Sequence, residues 1–466
     1  MSLVNSAILE DYKHRSKELI DISAPLIAEQ IFITLMGIVN TMMASSIGEY
    51  AVSAVGMIDS ISHLIVALFA AMTTGGTIVV AQYIGRKEKE KATGAAAQAI
   101  VLATIFSVVI ALFFAIFRGP VIQSLYGNAD ADVIQAANTY LLIINFSFPI
   151  LALTQTIFGI LRGSGDTRTP MFITIAMNVF NVIFGYILIF GIRINLGFFS
   201  IQTSSLGITG AALALLLARL IGLILCIYYI AFGSKNIRLN GWQYFKPDFK
   251  VQKVVLGLGV PTSIESGLFN VGKLLTQIFI VGMGTAAIAA NSVAGSIMSF
   301  MNVPGQAFST GVMILVGQRV GKNEIEDVKK TIMFAVKLGM VMLGGLCLIC
   351  FPLTNAILSL YKPGPESMVY IKQILYAGYV ATPLLWSISF IPPAGLRATG
   401  DVKYTMVVAV ISMWTFRIVF GYLFGVTLGL GVVGVWFGMY IDWIVRGLFF
   451  YLRLANGKWK GKSVKA

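Results

Sequence analysis

Twelve apolar blocks, most of them 20 residues or longer, constrain this chain more than any single motif. They run at about 19–44, 51–82, 93–117, 133–160, 169–191, 206–232, 254–281, 287–318, 331–353, 368–395, 404–426 and 431–453. About 20 apolar residues rising 1.5 Å each cross the roughly 30 Å hydrocarbon core of a bilayer. At 57% hydrophobic and 12% charged, a soluble domain of 466 residues would expose too much apolar surface. Helices are the expected spanning structure because each satisfies its own backbone polar groups. The blocks are continuously apolar, which excludes the alternation of a membrane barrel. The expected fold class is an all-α polytopic membrane protein with twelve transmembrane helices.

The net charge of +14 raises nucleic acid as a partner, and its distribution answers that. Loops from odd to even spans and their edges hold only Arg118, Arg193, Lys362 and Lys372. The termini and the even-to-odd loops hold 25 Lys and Arg, including Lys13, Arg15, Lys17, Arg86, Lys87, Arg319 and Lys322. The excess marks the cytoplasmic side and places both termini there, in the cell membrane. No nucleic-acid role is needed to explain it. Cys226, Cys347 and Cys350 lie in apolar runs and read as small packing residues, not a disulfide framework. The charged start, about 18 residues long, precedes a block too long and too polar for a cleavable signal.

The two halves of the chain repeat. Pro25 with Glu29 matches Pro261 with Glu265 at an offset of 236; Gln82-Tyr-Ile-Gly85 matches Gln318-Arg-Val-Gly321 at the same offset. Leu161-Arg162-Gly-Ser-Gly165-Asp166 matches Leu396-Arg397-Ala-Thr-Gly400-Asp401 at 235, and Leu206-Gly207-Ile-Thr-Gly210 matches Leu430-Gly431-Val-Val-Gly434 at 224. The organisation expected is a cytoplasmic segment at 1–18, a first six-helix bundle at 19–232, a cytoplasmic linker at 233–253, a second bundle at 254–453 and a basic tail at 454–466. Six spans per half give both halves the same orientation, the arrangement of transporters built from parallel repeats. In the repeated LRGSGD and LRATGD turns, glycine permits the turn, Asp caps the next helix and Arg anchors at headgroup level. No strand precedes the GSG and no GK[ST] follows, so it is not a phosphate loop.

Ionisable residues inside the blocks are the candidates for chemistry, since each costs roughly 2.5–3.5 kcal/mol to insert. Glu265 lies about 11 residues into the seventh span, roughly 17 Å from its start, four residues after the helix-bending Pro261. It can hold Na⁺ or titrate. Lys273 follows about 12 Å along the axis and about 80° around it, so Glu265 alternately held by Lys273 and by a cation is the coupling scheme expected here. The bland alternatives are a static ion pair or a snorkelling lysine. Asn270 and Gln277 are secondary polar ligands. Glu29 with Gln30 is the equivalent in the first half, a second site or a relic hydrogen-bonded within the core. Asp59 and His63 share a helix face and read either as a buried structural pair or as a proton relay. Asn40, Asn178 and Asn181 are candidates to line a first-half cavity. Arg417, Asp442 and Arg446 read as a structural charge cluster.

Taken together, the LRGSGDTRTP turn, the Q-x-x-G ends of spans two and eight, TAAIAANSVAG leading into the eighth span and the doubled six-span pattern resemble the multidrug and toxic compound extrusion (MATE) family over nearly the whole chain. The resemblance implies two pseudo-symmetric bundles in a V around a central cavity, exporting organic cations or other amphiphiles against inward Na⁺ or H⁺. The chain departs from the family where many members carry acids. The first span reads Val39-Asn40-Thr41, and the fifth carries Asn178, Asn181 and Gly185. The function expected is therefore a secondary active antiporter for an amphiphilic or cationic small molecule, acting as a monomer in the bilayer, with no cofactor and no metal beyond a possible Na⁺. A flippase for a lipid-linked precursor is the alternative within transport. A membrane-embedded enzyme or scaffold is the alternative outside it, and an enzyme would need a clustered catalytic set that two histidines do not supply.

Overall fold

A computed structural model of the chain describes residues 2–127, 129–191, 193–195, 200–202, 205–239 and 241–464. The first half consists of α1 (Ser2–Ser45), α2 (Glu49–Gly85), α3 (Lys89–Tyr126), α4 (Ala131–Gly163), α5 (Arg168–Phe190) and α6 (Gly207–Tyr228). A short antiparallel hairpin, β1 (Arg193–Asn195) with β2 (Ser200–Gln202), joins α5 to α6. The second half follows as α7 (Phe249–Val281), α8 (Thr285–Met301), α9 (Val303–Gly321), α10 (Ile325–Tyr361), α11 (Pro365–Ala381), α12 (Ser387–Ala398), α13 (Val402–Ile411), α14 (Val419–Tyr422) and α15 (Gly431–Ala455). Among the described residues, 11 helices are long and apolar enough to cross a membrane, or 12 if α8 and α9 form one span bent by 45°.

That bend and four π-helical turns separate the structure from the uniform spans expected. Pro304 at the start of α9 removes a backbone donor, which breaks the eighth span at Asn302. The π turns are Tyr229–Gly233, Thr382–Trp386, Ser412–Ile418 and Leu423–Thr427. The first and last close the sixth and eleventh spans, and the other two lie inside the tenth and eleventh. Such turns often mark functional positions. Pro261, by contrast, sits inside an unbroken α7.

Contacts divide the chain into two compact units. One comprises residues 1–27, 81–87 and 261–466; the other comprises 28–80 and 88–260. The first helix of each repeat is thus shared out next to its proline, α1 after Ile27 and α7 before Pro261. In the first unit, Leu19 joins a core with Phe308, Val312, Ile332 and Phe450. In the second, Ile58, Leu141, Ile144 and Phe148 form the equivalent core.

The expected linker is pinned down at its end. The buried Gln98 of α3 donates to the Tyr244 and Lys246 carbonyls at 3.0 and 2.7 Å. Its carbonyl oxygen accepts from the Asp248 amide and from Gln252, so α7 begins at Phe249. The tail also folds back, within the first unit. Trp459 is 1% exposed, Lys462 donates to Asp401 at 2.6 Å, and Gln82 accepts from the Val464 amide at 2.9 Å.

The repeated Q-x-x-G ends meet. A Cβ on Gly85 would lie 2.1 Å from the Gln318 carbonyl oxygen, and one on Gly321 would lie 2.1 Å from that of Gln82. Nothing larger than hydrogen fits against these carbonyls. Gly321→Ala is therefore expected to lose about 1–3 kcal/mol by overpacking, seen as a lower unfolding midpoint in detergent. Alanine at Gly94, where a Cβ meets nothing within 4 Å, is the matched control and should leave the midpoint near that of the parent.

Candidate functional site

Each unit holds a carboxylate paired with the arginine of the repeated turn. In one, Glu29 of α1 is ion-paired with Arg162 at the end of α4. In the other, Glu265 of α7 accepts from Arg397 Nη1 at 3.2 Å on both oxygens. Three expectations are corrected here. Arg162 and Arg397 do not serve as headgroup anchors; Arg162 neutralises the buried Glu29 and Arg397 the part-buried Glu265, a charge-assisted use of each guanidinium. Glu265 takes Arg397 as its partner, not Lys273, and Glu29 takes Arg162, not Gln30. The turns themselves need their glycines, since Gly165 and Gly400 have φ of 94° and 97°. Asp166 accepts from the Thr169 amide at 3.0 Å, the expected cap of α5, and Tyr229 also donates to it. Its counterpart Asp401 instead receives Arg453 at 2.7 Å.

One turn beyond Glu265 along α7, a cavity of about 580 Å³ opens within the same unit. The α7 stripe Phe269, Lys273, Thr276, Gln277 and Ile280 forms one wall, with the spacing of a single helix face. Two π turns supply others: Thr382 and Trp386 from the first, Arg417 from the second. Gly305 makes room for Trp386, whose ring would lie 2.3 Å from any Cβ there. A polar chain crosses the lining. Trp436 Nε1 donates to Asn291 Oδ1 at 3.0 Å, and Asn291 Nδ2 donates to Gln277 Oε1 at 2.9 Å. Of the expected secondary ligands, Gln277 is thus at the cavity, whereas Asn270 spends its amide on the Ser266 carbonyl of its own helix.

Three cations gather around one aromatic ring. Lys273 Nζ, Arg417 Cζ and Arg446 Cζ lie 5.2, 5.3 and 5.6 Å from the Phe269 centroid. Asp442, 0% exposed, is occupied by Arg446 at 2.9 Å and by the Ser412 hydroxyl at 2.6 Å. Arg417 and Arg446 share the Phe269 ring, Asp442 is held by Arg446, and Arg417 lines the cavity. Three positive groups against one carboxylate leave an excess of two. Among the described residues no Asp or Glu lines the cavity.

The first-half candidates are partly brought together. Asn181 donates to Asn40 Oδ1 at 2.7 Å, joining the first and fifth spans. Asn178 turns back to its own helix at Thr174. Asp59 and His63 are both exposed, not buried, with Arg219 within electrostatic range of Asp59. Arg219 itself donates to Ser147 at 2.5 Å.

Long apolar helices, 11 or 12 of them fit to cross a membrane among the described residues, and a polar-aromatic cavity within one unit are the setting of a membrane transport protein. The chain belongs to the MatE family: the family's model matches it twice, at residues 25–187 and 261–423, each match beginning at the repeated proline. Full-length relatives include the uncharacterized transporter YisQ of Bacillus subtilis, 28% identical over 99% of both chains. Another is the probable multidrug resistance protein NorM of Thermotoga maritima, 26% identical over 98% of this chain and 95% of that one. Among solved structures, an outward-facing multidrug resistance MATE family transporter of the MOP superfamily superposes with a TM-score of 0.83 at 20% identity, covering 95% of this chain and 97% of that one. A MOP superfamily transporter from Pyrococcus furiosus, described as having a binding pocket of reverse polarity, also gives 0.83, at 21% identity over 95% and 96%. These likenesses define the fold.

Proposed function

We propose that this protein is a secondary active antiporter of the cell membrane, with both termini cytoplasmic, working as a monomer. It exports small amphiphilic molecules in exchange for Na⁺ or H⁺. The observation that carries this reading is Glu265, paired with Arg397 and one helical turn from the Phe269 wall of the cavity. An acid that exchanges an internal guanidinium for an incoming cation links ion binding to helix movement, because each partner stabilises a different arrangement of α7 and α12. Glu29 and Arg162 repeat this geometry with a more buried acid, so we assign coupling to the second half. Lys273 is left to the substrate cavity. A volume of about 580 Å³ suits a drug-sized molecule better than a lipid-linked precursor.

Reconstitution in proteoliposomes tests this. An imposed outward Na⁺ or H⁺ gradient, with the ion concentrated inside the vesicles, should drive uptake of an amphiphilic fluorescent dye, and Glu265→Gln should reduce the gradient's stimulation about 5-fold or more. A wild-type rate indifferent to both gradients would remove the antiporter reading. Full coupling in the variant would remove Glu265 from the mechanism.

A further inference from the structure

We infer that the cavity walled by Phe269, Lys273 and Arg417 is an anion site, taking an organic anion with a carboxylate or sulfonate head and an aromatic body. This deepens the transporter reading and rests on it only for the consequence that such an anion is carried.

The charge count comes first. Lys273 and Arg417 face the cavity, Arg446 stands behind the same Phe269 ring, and the nearest carboxylate, Asp442, is already held by Arg446 and Ser412. Glu265, the acid of α7, is engaged by Arg397. An organic cation entering here would meet two like charges and no counter-charge, in a medium where such repulsion is strong. A carboxylate or sulfonate would relieve it.

The neutral lining has the same bias. Tyr440 and Trp443 line the cavity and are 7% and 5% exposed. Neither the Tyr440 hydroxyl nor Trp443 Nε1 finds a partner among the described residues. An indole N–H is donor only, so Trp443 asks for an acceptor, and a buried donor left without one costs free energy. By contrast, two of the cavity's amide acceptors, Gln277 Oε1 and Asn291 Oδ1, are already taken by Asn291 and Trp436. Against these two unpartnered donor groups and the two lining cations stands one amide oxygen without a partner among the described residues, Asn302 Oδ1. Phe269, Phe390 and Trp386 supply apolar faces, and Trp386 stacks on Phe390 at 4.8 Å between centroids. An aromatic body fits between such walls.

The test is equilibrium binding to the full chain in detergent, read by quenching of tryptophan fluorescence, with two probes of one shape: naphthalene-2-carboxylate and 2-naphthylmethylammonium. The carboxylate should bind, and bind roughly tenfold or more tightly than the ammonium. Lys273→Gln should weaken the carboxylate by about tenfold, Lys273→Glu further, and Lys273→Arg should restore most of it. Because Lys273 is exposed, these variants keep the fold, and the unfolding midpoint verifies that. Equal or tighter binding of the ammonium, or unchanged carboxylate binding in Lys273→Glu, would overturn the inference. Binding needs no gradient, so its failure alongside intact gradient-driven flux would sink the anion site alone. Carboxylate binding without any flux would uphold the site and sink the transporter reading.

Discussion

Arg162→Leu is expected to destabilise the protein by about 3–5 kcal/mol, the usual result of removing one partner from a buried ion pair. The reason is what it leaves behind. Glu29 has a side chain only 2% exposed, and its second oxygen, Oε2, has no donor among the described residues. Without the guanidinium the carboxylate must either stay charged in a medium that penalises it or take up a proton. The unfolding midpoint in detergent measures the loss. Changing both residues, Glu29→Leu together with Arg162→Leu, removes the stranded charge and should recover most of the stability, because replacing a buried pair by apolar groups is often neutral. A single Arg162→Leu variant within about 0.5 kcal/mol of the parent, the range of a bland surface substitution, would show that the pair carries no such burden. The corresponding Arg397 variant should cost less, since Glu265 and Arg397 are more exposed, at 15% and 18%.

Asp442→Asn is expected to be as costly, about 3–5 kcal/mol, although it changes neither size nor shape. The carboxylate is the single anion among Lys273, Arg417 and Arg446 around Phe269. It accepts from Arg446 on both oxygens, at 3.1 and 2.9 Å. An amide in its place leaves three cations with no counter-charge. Combining Asp442→Asn with Arg446→Met removes one of them and should restore part of the loss. If the isosteric variant unfolds at the parent's midpoint, the cluster is held by packing and not by charge. A second reading of the same variant follows from the anion site. With Asp442 neutralised, naphthalene-2-carboxylate should stabilise the protein more than it stabilises the parent, since the bound anion supplies the missing charge.

The partners of the two paired acids are written in the repeat itself. Glu29 and Arg162 are 133 residues apart, and Glu265 and Arg397 are 132 apart. Both members of each pair lie in repeated motifs already recognised, Pro-x-x-x-Glu and Leu-Arg-x-x-Gly-Asp. Two residue types repeated together at one separation are a signal that they meet. The helical distance from Glu265 to Lys273 pointed elsewhere because it is measured along one helix, where a partner is near only at three or four residues. Eight residues carry Lys273 past the acid and into the cavity.

The charge of the cavity was hidden for a different reason. Lys273 comes from α7, Arg417 from a π turn in the eleventh span, and Arg446 and Asp442 from α15. Periodicity places Asp442 and Arg446 on one face, but a π turn adds a residue to the helical repeat and turns everything after it by most of a helical step. Ser412–Ile418 therefore points Arg417 where an ideal helix count does not. Nothing in the residues Ser-Met-Trp-Thr-Phe-Arg-Ile announces such a turn.

The sequence alone determined the membrane class, the span count to within the bent eighth span, the twofold repeat and the family. These depend on local quantities: how long an apolar run is, what the backbone needs inside a bilayer, and which short motifs recur at one offset. Tertiary structure alone decided the partner of each buried charge, the sharing of α1 and α7 between units, and the polarity of the cavity. Those depend on which side chains from distant helices are packed within a few ångströms, where a low dielectric makes every pairing strong and every mispairing costly. A linear pattern records that a charge has been buried, and the packing of the helices chooses what it faces.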